Sequence, residues 1–432
     1  MKFLYLYPAG SRRSSWFVCA AWVLLTVSPC LTAQTRETID LSWALQQTLQ
    51  HNPELKAYPF ALSGAEALRL QAGLRPVPTL GFTGENLLGN GEFDGTDFAE
   101  YTLSLSQVIE LGEKREKRLQ LAGARLQQLQ QEYELARLDI LAETGRRYYA
   151  LLRLQSMQEW SKQRLLQDQR ALDIVDQRAR AGAVGRADVS KIRLRLARSE
   201  SRQVQLVGEL KLARLRLASL WLGKGGFSRA TGALAQLPAL PAAETIGDAL
   251  DAAPELSHQL ALQRLADSQV QLAQANGRGD LELGLGIRRL EISDDEALTF
   301  SVSMPLPFSN PNRGRIAAAR AQQESSRVQA QARRQTLELS LLEILQRLRN
   351  QHDTVRLLET RLLPESKALL EDTEAGYQMG RYSVLQWVDA QTERSSVERE
   401  LIETRTSIHL YTLELERITG QPMTLGLPGE SS

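Results

Sequence analysis

The sequence predicts an exported α+β membrane protein built from two copies of one unit, each with a helix, a strand pair and a very long helical hairpin. Three observations predict it. An N-terminal segment has the pattern of a targeting sequence, the rest of the chain repeats itself, and long proline-free helical stretches alternate with short strand-like segments. Leu, Ala, Gln, Arg and Glu dominate and aromatic residues make up only 6%, a composition typical of long helices.

Residues 1–33 are predicted to be a signal peptide that is cleaved after Ala33. Lys2, Arg12 and Arg13 precede an apolar run over 16–27 that is too short to span a bilayer. Small residues follow this run up to Ala33, so cleavage is the favoured interpretation. An uncleaved anchor is the alternative.

Both cysteines of the chain lie in this leader. Cleavage removes Cys19 and Cys30, so the mature chain is expected to contain no disulfide and no thiolate ligand. Cys30 follows Pro29, where a lipoprotein signal requires a small residue. Lipidation of Cys30 is therefore the less favoured alternative.

Charge, hydropathy and motifs exclude several classes of protein. The formal net charge of +1 differs from the strongly basic profile of a general nucleic-acid-binding protein. Outside the N-terminal segment, no run of about 18 residues is apolar and uncharged, which excludes a bundle of membrane-spanning helices. Nucleotide-binding, hydrolase and zinc-protease motifs are absent, and the four histidines are scattered. We therefore predict no enzymatic activity, no cofactor and no bound metal.

The chain after the leader repeats itself at an offset near 201 residues. The matched segments are Pro53-Glu54-Leu55 with Pro254-Glu255-Leu256, 102–106 with 299–303, and 181–186 with 376–381. Three matches in one order indicate a duplication of one large unit. The predicted parts are a first repeat at 34–221, a linker at 222–244, a second repeat at 245–420 and a tail at 421–432. The linker is either flexible or packed as a belt around the helices.

Four segments alternate between small polar and large apolar residues and are predicted to be strands. They cover 79–88, 101–109, 281–292 and 298–306. Such alternation is typical of membrane β-barrels, although a small soluble sheet is the alternative. The predicted apolar face comprises Leu80, Phe82, Leu103, Leu105, Phe300 and Val302.

Two helices far longer than those of globular domains are predicted. The first covers 113–180 and, at 1.5 Å per residue, spans about 100 Å. Its apolar residues form two seams, so it needs neighbours on two sides. The second covers about 315–374 with a kink at Pro364. Each ends in a glycine-bounded turn and returns as another helix, to about Leu220 and Ile418.

Four strands are too few to close a membrane barrel, because the smallest such barrels have about eight. A chain with two strand pairs must therefore share its barrel with other subunits, which removes the unpaired edges. Three copies supply twelve strands and twelve helices.

The assembled features resemble the TolC-like outer membrane factors. The resemblance is carried by Ala375-Gly376-Tyr377 with Gly380, by Val388-Asp389-Ala390-Gln391 and by Asn52-Pro53-Glu54-Leu55. Within that family the match is best to the heavy-metal, CzcC-like branch, through 70–76 and 103–115. It covers about residues 38–420.

The resemblance implies a homotrimer in the outer membrane of a Gram-negative bacterium. It also implies a short twelve-stranded β-barrel continuous with a long periplasmic α-helical barrel. A periplasmic adaptor and an inner-membrane pump of the resistance-nodulation-division (RND) class are the implied partners, with outer-membrane lipid around the barrel and no nucleic acid. Export of heavy-metal cations is the implied function. Export of drugs or other small molecules is an alternative, and a soluble periplasmic coiled-coil adaptor or scaffold is less favoured.

The resemblance also implies residues for a pore aperture. In the family, the helix after the second tip carries two carboxylates one turn apart around the narrow end of the pore. Those positions correspond here to Gln386 and Asp389, and Lys191 and Tyr382 stand where the family often has an acid and a base. Three Asp389 carboxylates around one axis are expected to concentrate cations and to bind them weakly. The alternative is that Asp389 is a solvated surface carboxylate.

The two hairpin tips are predicted to meet the adaptor. The residues proposed for docking are Gly182, Gly185, Arg186, Gly376, Gly380 and Arg381. Glycines permit tight turns and let another helical hairpin approach closely. The alternative is that these glycines only end helices.

Overall fold

The structure, a computed structural model, describes residues 37–241, 247, 249–306 and 309–421. The predicted leader, including Cys19 and Cys30, and the tail beyond Gln421 lie outside the described residues. Within the described ranges, no helix combines the length and the apolar character that crossing a bilayer requires.

Both halves of the chain contain a helical segment, a strand pair and a long helical hairpin, in that order. The first half has β1 (Thr38–Ile39), α1 (Leu41–His51), α2 (Pro53–Ala72), β2 (Thr79–Glu85), β3 (Glu100–Ile109), α3 (Lys114–Arg180) and α4 (Arg186–Ala218). The second has β4 (Arg229–Ala230), α5 (Pro254–Ala275), β5 (Leu281–Leu290), β6 (Asp295–Ser303), α6 (Arg313–Leu357), α7 (Leu363–Gln378) and α8 (Val384–Thr419). The predicted order of helix, strand pair and long hairpin is confirmed in both copies.

The helical pattern of residues 40–75 predicts one continuous helix, but the structure interrupts it at Asn52. The Asn52 Oδ1 atom accepts hydrogen bonds from the backbone N–H groups of Glu54 (3.0 Å) and Leu55 (3.2 Å). Its Nδ2 atom donates to the carbonyl oxygen of Leu220 at 2.9 Å. Pro53 begins the next helix, where its missing N–H is not needed. Capping therefore separates α1 from α2, where the apolar periodicity alone predicts continuous helix.

The strands differ from the predicted bounds by up to three residues at their ends. Strand β2 ends at Glu85 because Asn86 (φ 54°) and Leu88 (φ 55°) adopt the left-handed conformation, which breaks the extended backbone. Strand β6 begins at Asp295, directly opposite Leu290 of β5. Strand β5 ends at Leu290, so the loop between those strands is 291–294, two residues earlier than the predicted loop at 293–296.

The four strands form one antiparallel sheet in the order β2-β3-β5-β6. Leu80 lies opposite Leu105, which lies opposite Leu285, which lies opposite Phe300. The neighbouring row on the same face is Phe82, Leu103, Ile287 and Leu298. All eight side chains are exposed in the single chain. The predicted apolar face is therefore confirmed, and the opposite face carries mainly Gly, Ser and Thr.

Helix α3 is the central element of the helical part. Its 67 residues correspond to about 100 Å. It packs against α4, α5 and α8, so it has several helical neighbours, as its two apolar seams predict. Three clusters of buried apolar side chains follow the helices, around Leu151 and Leu206, around Leu348 and Ile408, and around Trp387.

The second long helix changes its hydrogen bonding next to the predicted kink. Residues Leu358–Leu362 form a π-helical turn between α6 and α7, immediately before Pro364. A proline inside a helix removes one backbone donor and its ring crowds the carbonyl four residues earlier. A wider turn accommodates both effects.

The described part of the predicted linker packs against the helices. Strand β4 pairs in parallel with β1, and Gln155 of α3 both donates to and accepts from the backbone of Ala230 at 2.9 Å. The Tyr148 hydroxyl donates to the carbonyl oxygen of Thr231. Farther along, the His409 ring nitrogen Nε2 lies 3.2 Å from the carbonyl oxygen of Leu234. The described residues of this segment are therefore packed against α3 and α8, and a belt around the helices stays a prediction.

Candidate aperture and hairpin tips

The two hairpin tips are joined by a layered contact around Tyr377. The Arg178 guanidinium donates to the carbonyl oxygens of Tyr377 (2.8 Å) and Gln378 (3.1 Å). It also lies over the Tyr377 ring at 4.1 Å from the ring centre. The ring of Trp387 stacks on the buried Tyr377 ring, with ring centres 5.1 Å apart and an interplanar angle of 11°. Cation–π and aromatic contacts of this kind hold the end of α3 to α7 and α8.

The two tips have the same backbone conformation, but the residues at equivalent positions are not the ones that the sequence repeat pairs. At the first tip, the N–H of Ala183 donates to the carbonyl of Arg178, and Gly182 has φ +75°. At the second, the N–H of Arg381 donates to the carbonyl of Gly376, and Gly380 has φ +74°. Gly182 is therefore equivalent to Gly380, because both provide the left-handed residue that ends a helix.

The next helices begin at equivalent positions as well. Gly185 precedes α4 and Ser383 precedes α8, each with an extended backbone. The sequence match paired Gly185 with Gly380 and Arg186 with Arg381, which is wrong by three residues. Glycine and arginine occur at both tips, but at different positions within the two turns.

Gly376 is a packing residue. A Cβ atom at this position would clash with the aromatic ring of Tyr382, which lies against the glycine. Gly376 is buried, so it contributes no docking surface in this arrangement. By contrast, a Cβ atom at Gly182 or Gly380 would meet no atom within 4 Å, and one at Gly185 would meet only Asp188, at 3.8 Å. Arg186 and Arg381 are exposed at the tips.

Gln386 is engaged in capping α8. The backbone N–H of Ser383 donates to the Gln386 Oε1 atom at 2.8 Å, and the N–H of Gln386 lies 3.3 Å from the Ser383 hydroxyl. This reciprocal pair is a capping box, which the Ser-x-x-Gln spacing in the sequence could have predicted. Asp389 follows one turn later and is exposed.

The four predicted aperture residues fall in different places. Lys191 and Asp389 line one groove between α3, α4 and α8, whereas Tyr382 lies against Gly376 at the tip. The groove has a volume of about 540 Å³. Its cationic lining residues are Arg153, Arg164, Lys191, Arg195, Arg198, Arg202 and Arg399. Asp389 and Glu403 are its two acidic lining residues. This excess of positive charge is not evident from the sequence, because the lining residues come from three helices.

A buried carboxylate organises the base of the groove. Asp168 is completely inaccessible to solvent and accepts hydrogen bonds from the Arg195 Nε atom (2.6 Å) and the Ser199 hydroxyl (2.5 Å). Arg195 also donates to the carbonyl oxygen of Val388 at 2.9 Å and to the Thr392 hydroxyl at 3.1 Å. One side chain thus connects α4 with α3 and α8.

Arg164 lies beside this network, 3.9 Å from Asp168. Burial lowers the pKa of Arg164 from its usual value, and repulsion from the nearby Arg195 lowers it further. The guanidinium remains charged, because arginine is protonated far above neutral pH. Arg195 and Arg399 therefore add to the effect of burial on this pKa, whereas Asp168 opposes it.

Within the described residues, no group of three His, Cys, Asp or Glu side chains is placed to hold a metal ion. His409 is buried, stacks on Tyr149 with ring centres 4.5 Å apart, and faces the Leu234 carbonyl. His258 lies 3.7 Å from Glu132.

Comparisons with known proteins agree with this architecture. The profile of the family described as outer membrane efflux protein matches residues 44–223 and again residues 245–421. The two matches correspond to the two copies of the repeated unit. The chain is also 24% identical over 364 residues to the cobalt-zinc-cadmium resistance protein CzcC of Cupriavidus metallidurans, with 84% of this chain and 85% of that protein covered.

Solved structures share the fold. A membrane protein from Pseudomonas aeruginosa superimposes with a TM-score of 0.76 at 18% identity, covering 88% of this chain and 93% of that one. The outer membrane protein VceC of Vibrio cholerae gives a TM-score of 0.72 at 19% identity, covering 88% of this chain and 96% of that one. The predicted fold class is confirmed by these likenesses. With the family profile matched across both halves, the chain belongs to the outer membrane efflux protein family.

Proposed function

We propose that the chain is the outer-membrane channel subunit of a tripartite efflux pump and that three copies form one channel. The observation that carries this proposal is the sheet. Its four strands end in two unpaired edges, β2 and β6, and its apolar face is exposed. Pairing β6 of one copy with β2 of the next removes both edges and presents one continuous apolar band to lipid.

The helices support the same assembly. Apolar side chains are exposed on α4, including Val204 (73%), and on α6, including Leu339 (59%). Large apolar patches on a single chain mark surfaces that a partner covers. Neighbouring copies in a closed helical wall provide that cover, so the barrel and the wall close with the same symmetry.

The cargo we propose is heavy-metal cations, which an RND-type pump and a periplasmic adaptor deliver. Support comes from the likeness to CzcC, whose name records cobalt, zinc and cadmium resistance. Export of drugs or other small molecules through the same duct is the second candidate, because the shared fold does not distinguish cargo. The adaptor is proposed to meet the exposed tip residues Gly182, Gly185, Arg186, Gly380 and Arg381.

Asp389 is the residue we propose for the aperture, with Lys191 beside it in the groove and with Gln386 and Tyr382 towards the tip. Replacing Asp389 with Ala removes the negative charge from surroundings that are otherwise basic. Reversal potentials in planar bilayers under a salt gradient should then shift towards anion preference, without a change in assembly. Identical reversal potentials would remove Asp389 from the aperture.

Fractionation and growth assays test the whole proposal. The protein should sediment with outer membranes, require detergent for extraction and elute as three copies of the mature chain by light scattering. Deletion of the gene should lower tolerance to cobalt, zinc and cadmium salts and leave tolerance to organic drugs unchanged. Recovery as a detergent-independent periplasmic protein would refute the channel, whereas drug sensitivity without metal sensitivity would refute only the cargo.

A further inference from the structure

We infer that the groove between α3, α4 and α8 is a binding site for solutes that carry several phosphate or carboxylate groups. The inference goes beyond the proposed channel function and holds whichever cargo the channel carries. It stands on the charge of the groove, the fixed position of its arginines and its length.

The first step is the charge balance. Seven cationic side chains line the groove with two carboxylates. Arg153, Lys191, Arg198 and Arg399 make no ion pair with any described residue. No ion pair among the described residues therefore neutralises these four charges, which line one concave surface. Low-dielectric walls focus such a field and raise the local concentration of anions.

The second step is the fixed position of Arg195. Its Nε atom donates to Asp168, and its Nη1 atom donates to Val388 and Thr392. Its side chain is only 12% exposed. Its remaining nitrogen, Nη2, is shielded from solvent and has no hydrogen-bond partner within the described residues. A buried donor without a partner is costly, and an anion in the groove would gain a strong charge-assisted hydrogen bond once the side chains that cover this atom moved aside.

The third step is the shape of the groove. Asp389 and Glu403 mark positions fourteen residues apart on α8, which corresponds to about 21 Å along the helix. A single monovalent ion contacts only a small part of that length. Guanidinium groups spaced along it favour a ligand with several oxyanion groups, because each fork matches a phosphate or a carboxylate.

Isothermal titration calorimetry of the intact detergent-solubilised protein with sodium tripolyphosphate tests the inference, and citrate serves as the carboxylate probe. The groove variant is Arg198→Gln with Arg399→Gln, two exposed arginines without ion pairs in the described structure. The control variant is Arg320→Gln with Arg361→Gln, which removes the same charge from exposed positions outside the groove lining.

We expect saturable binding that weakens about tenfold in the groove variant and remains unchanged in the control. Asp389→Asn should tighten binding about threefold, because it removes a repulsive charge from the lining. Equal weakening in both arginine variants would refute a specific site and indicate a general charge effect. No binding by the wild type, together with loss of trimers in the groove variant only, would refute the inference and assign the groove to a subunit contact. Light scattering on the same samples distinguishes these results from failure of the trimer itself.

Discussion

Replacement of Asp168 by Asn tests how the three helices at the groove are held together. The substitution keeps the size of the side chain and removes its charge. Arg195, whose side chain is 12% exposed, then loses the carboxylate that lies 2.6 Å from its Nε atom. Arg164 loses its nearest carboxylate, at 3.9 Å. The variant therefore leaves buried positive charge without compensation.

The expected cost follows from burial. Removing one partner of a buried ion pair destabilises proteins by about 3–5 kcal/mol, because the other charge remains desolvated and unpaired. Two features act in opposite directions here. The hydrogen bonds of Arg195 to Val388 and Thr392 persist and limit the loss, whereas repulsion between Arg164 and Arg195 increases once the carboxylate is gone. We expect a value near 3 kcal/mol.

Thermal unfolding in detergent, followed by circular dichroism, measures the effect. At about 2 °C per kcal/mol for a long chain, the Asp168→Asn midpoint should fall by roughly 6 °C. Asp139→Asn is the matched control, because Asp139 pairs with Arg417 at 3.0 Å and its side chain is 59% exposed. An exposed pair contributes at most about 1 kcal/mol, so the control should shift the midpoint by about 2 °C or less. Equal shifts in the two variants would refute the role assigned to burial.

Three further predictions address the sheet, the tips and the belt. Leu105→Arg should make the free energy of insertion into outer membranes about 2–4 kcal/mol less favourable if Leu105 faces lipid at mid-bilayer. Thr83→Arg, on the opposite face of the sheet, should insert normally. Equal yields of the two variants would contradict the assigned faces. Gly185→Leu should leave the melting temperature unchanged, since the surroundings of Gly185 are open, and should abolish resistance. Gly376→Ala should lower the melting temperature, because the added Cβ atom clashes with Tyr382. Full resistance in Gly185→Leu would show that the first tip is only a turn. Burial lowers the pKa of His409 below its usual 6.5, so the unfolded chain binds a proton that the folded chain does not, and stability should fall as the pH drops below about 6.5. His409→Gln should reduce that fall in melting temperature, and an unchanged pH profile would contradict the assignment.

The long elements were predictable because their signals extend over many residues. Helix α3 begins one residue later than predicted and ends where predicted, since no proline interrupts it and its apolar seams continue to the tip. The faces of the strands were predictable for a related reason. Side chains alternate strictly in a strand, so one correctly placed residue such as Leu105 determines the face of all the others.

The ends of elements depend on single residues, and there the periodicity was insufficient. Helical periodicity continues from α1 into α2, and only the cap at Asn52 and the proline after it separate them. Asn-Pro is a recognised turn signal, so the sequence itself indicated this break. The helical pattern of the apolar residues nevertheless predicted a continuous helix. At the tips, amino-acid identity pairs Gly185 with Gly380, whereas backbone conformation pairs Gly182 with Gly380.

The charge of the groove could not be predicted because its residues come from three helices that are far apart in sequence. Arg153, Arg198 and Arg399 each look like part of a solvated helix face, and only their convergence on one groove, which Asp389 also lines, distinguishes them from such a face. This convergence changes the expected role of Asp389. An isolated ring of carboxylates would attract cations, but a carboxylate among arginines mainly reduces a positive potential. The selectivity of the proposed aperture should therefore depend on the balance between Asp389 and the groove arginines. Neutralising the arginines and neutralising Asp389 should then shift the reversal potential in opposite directions.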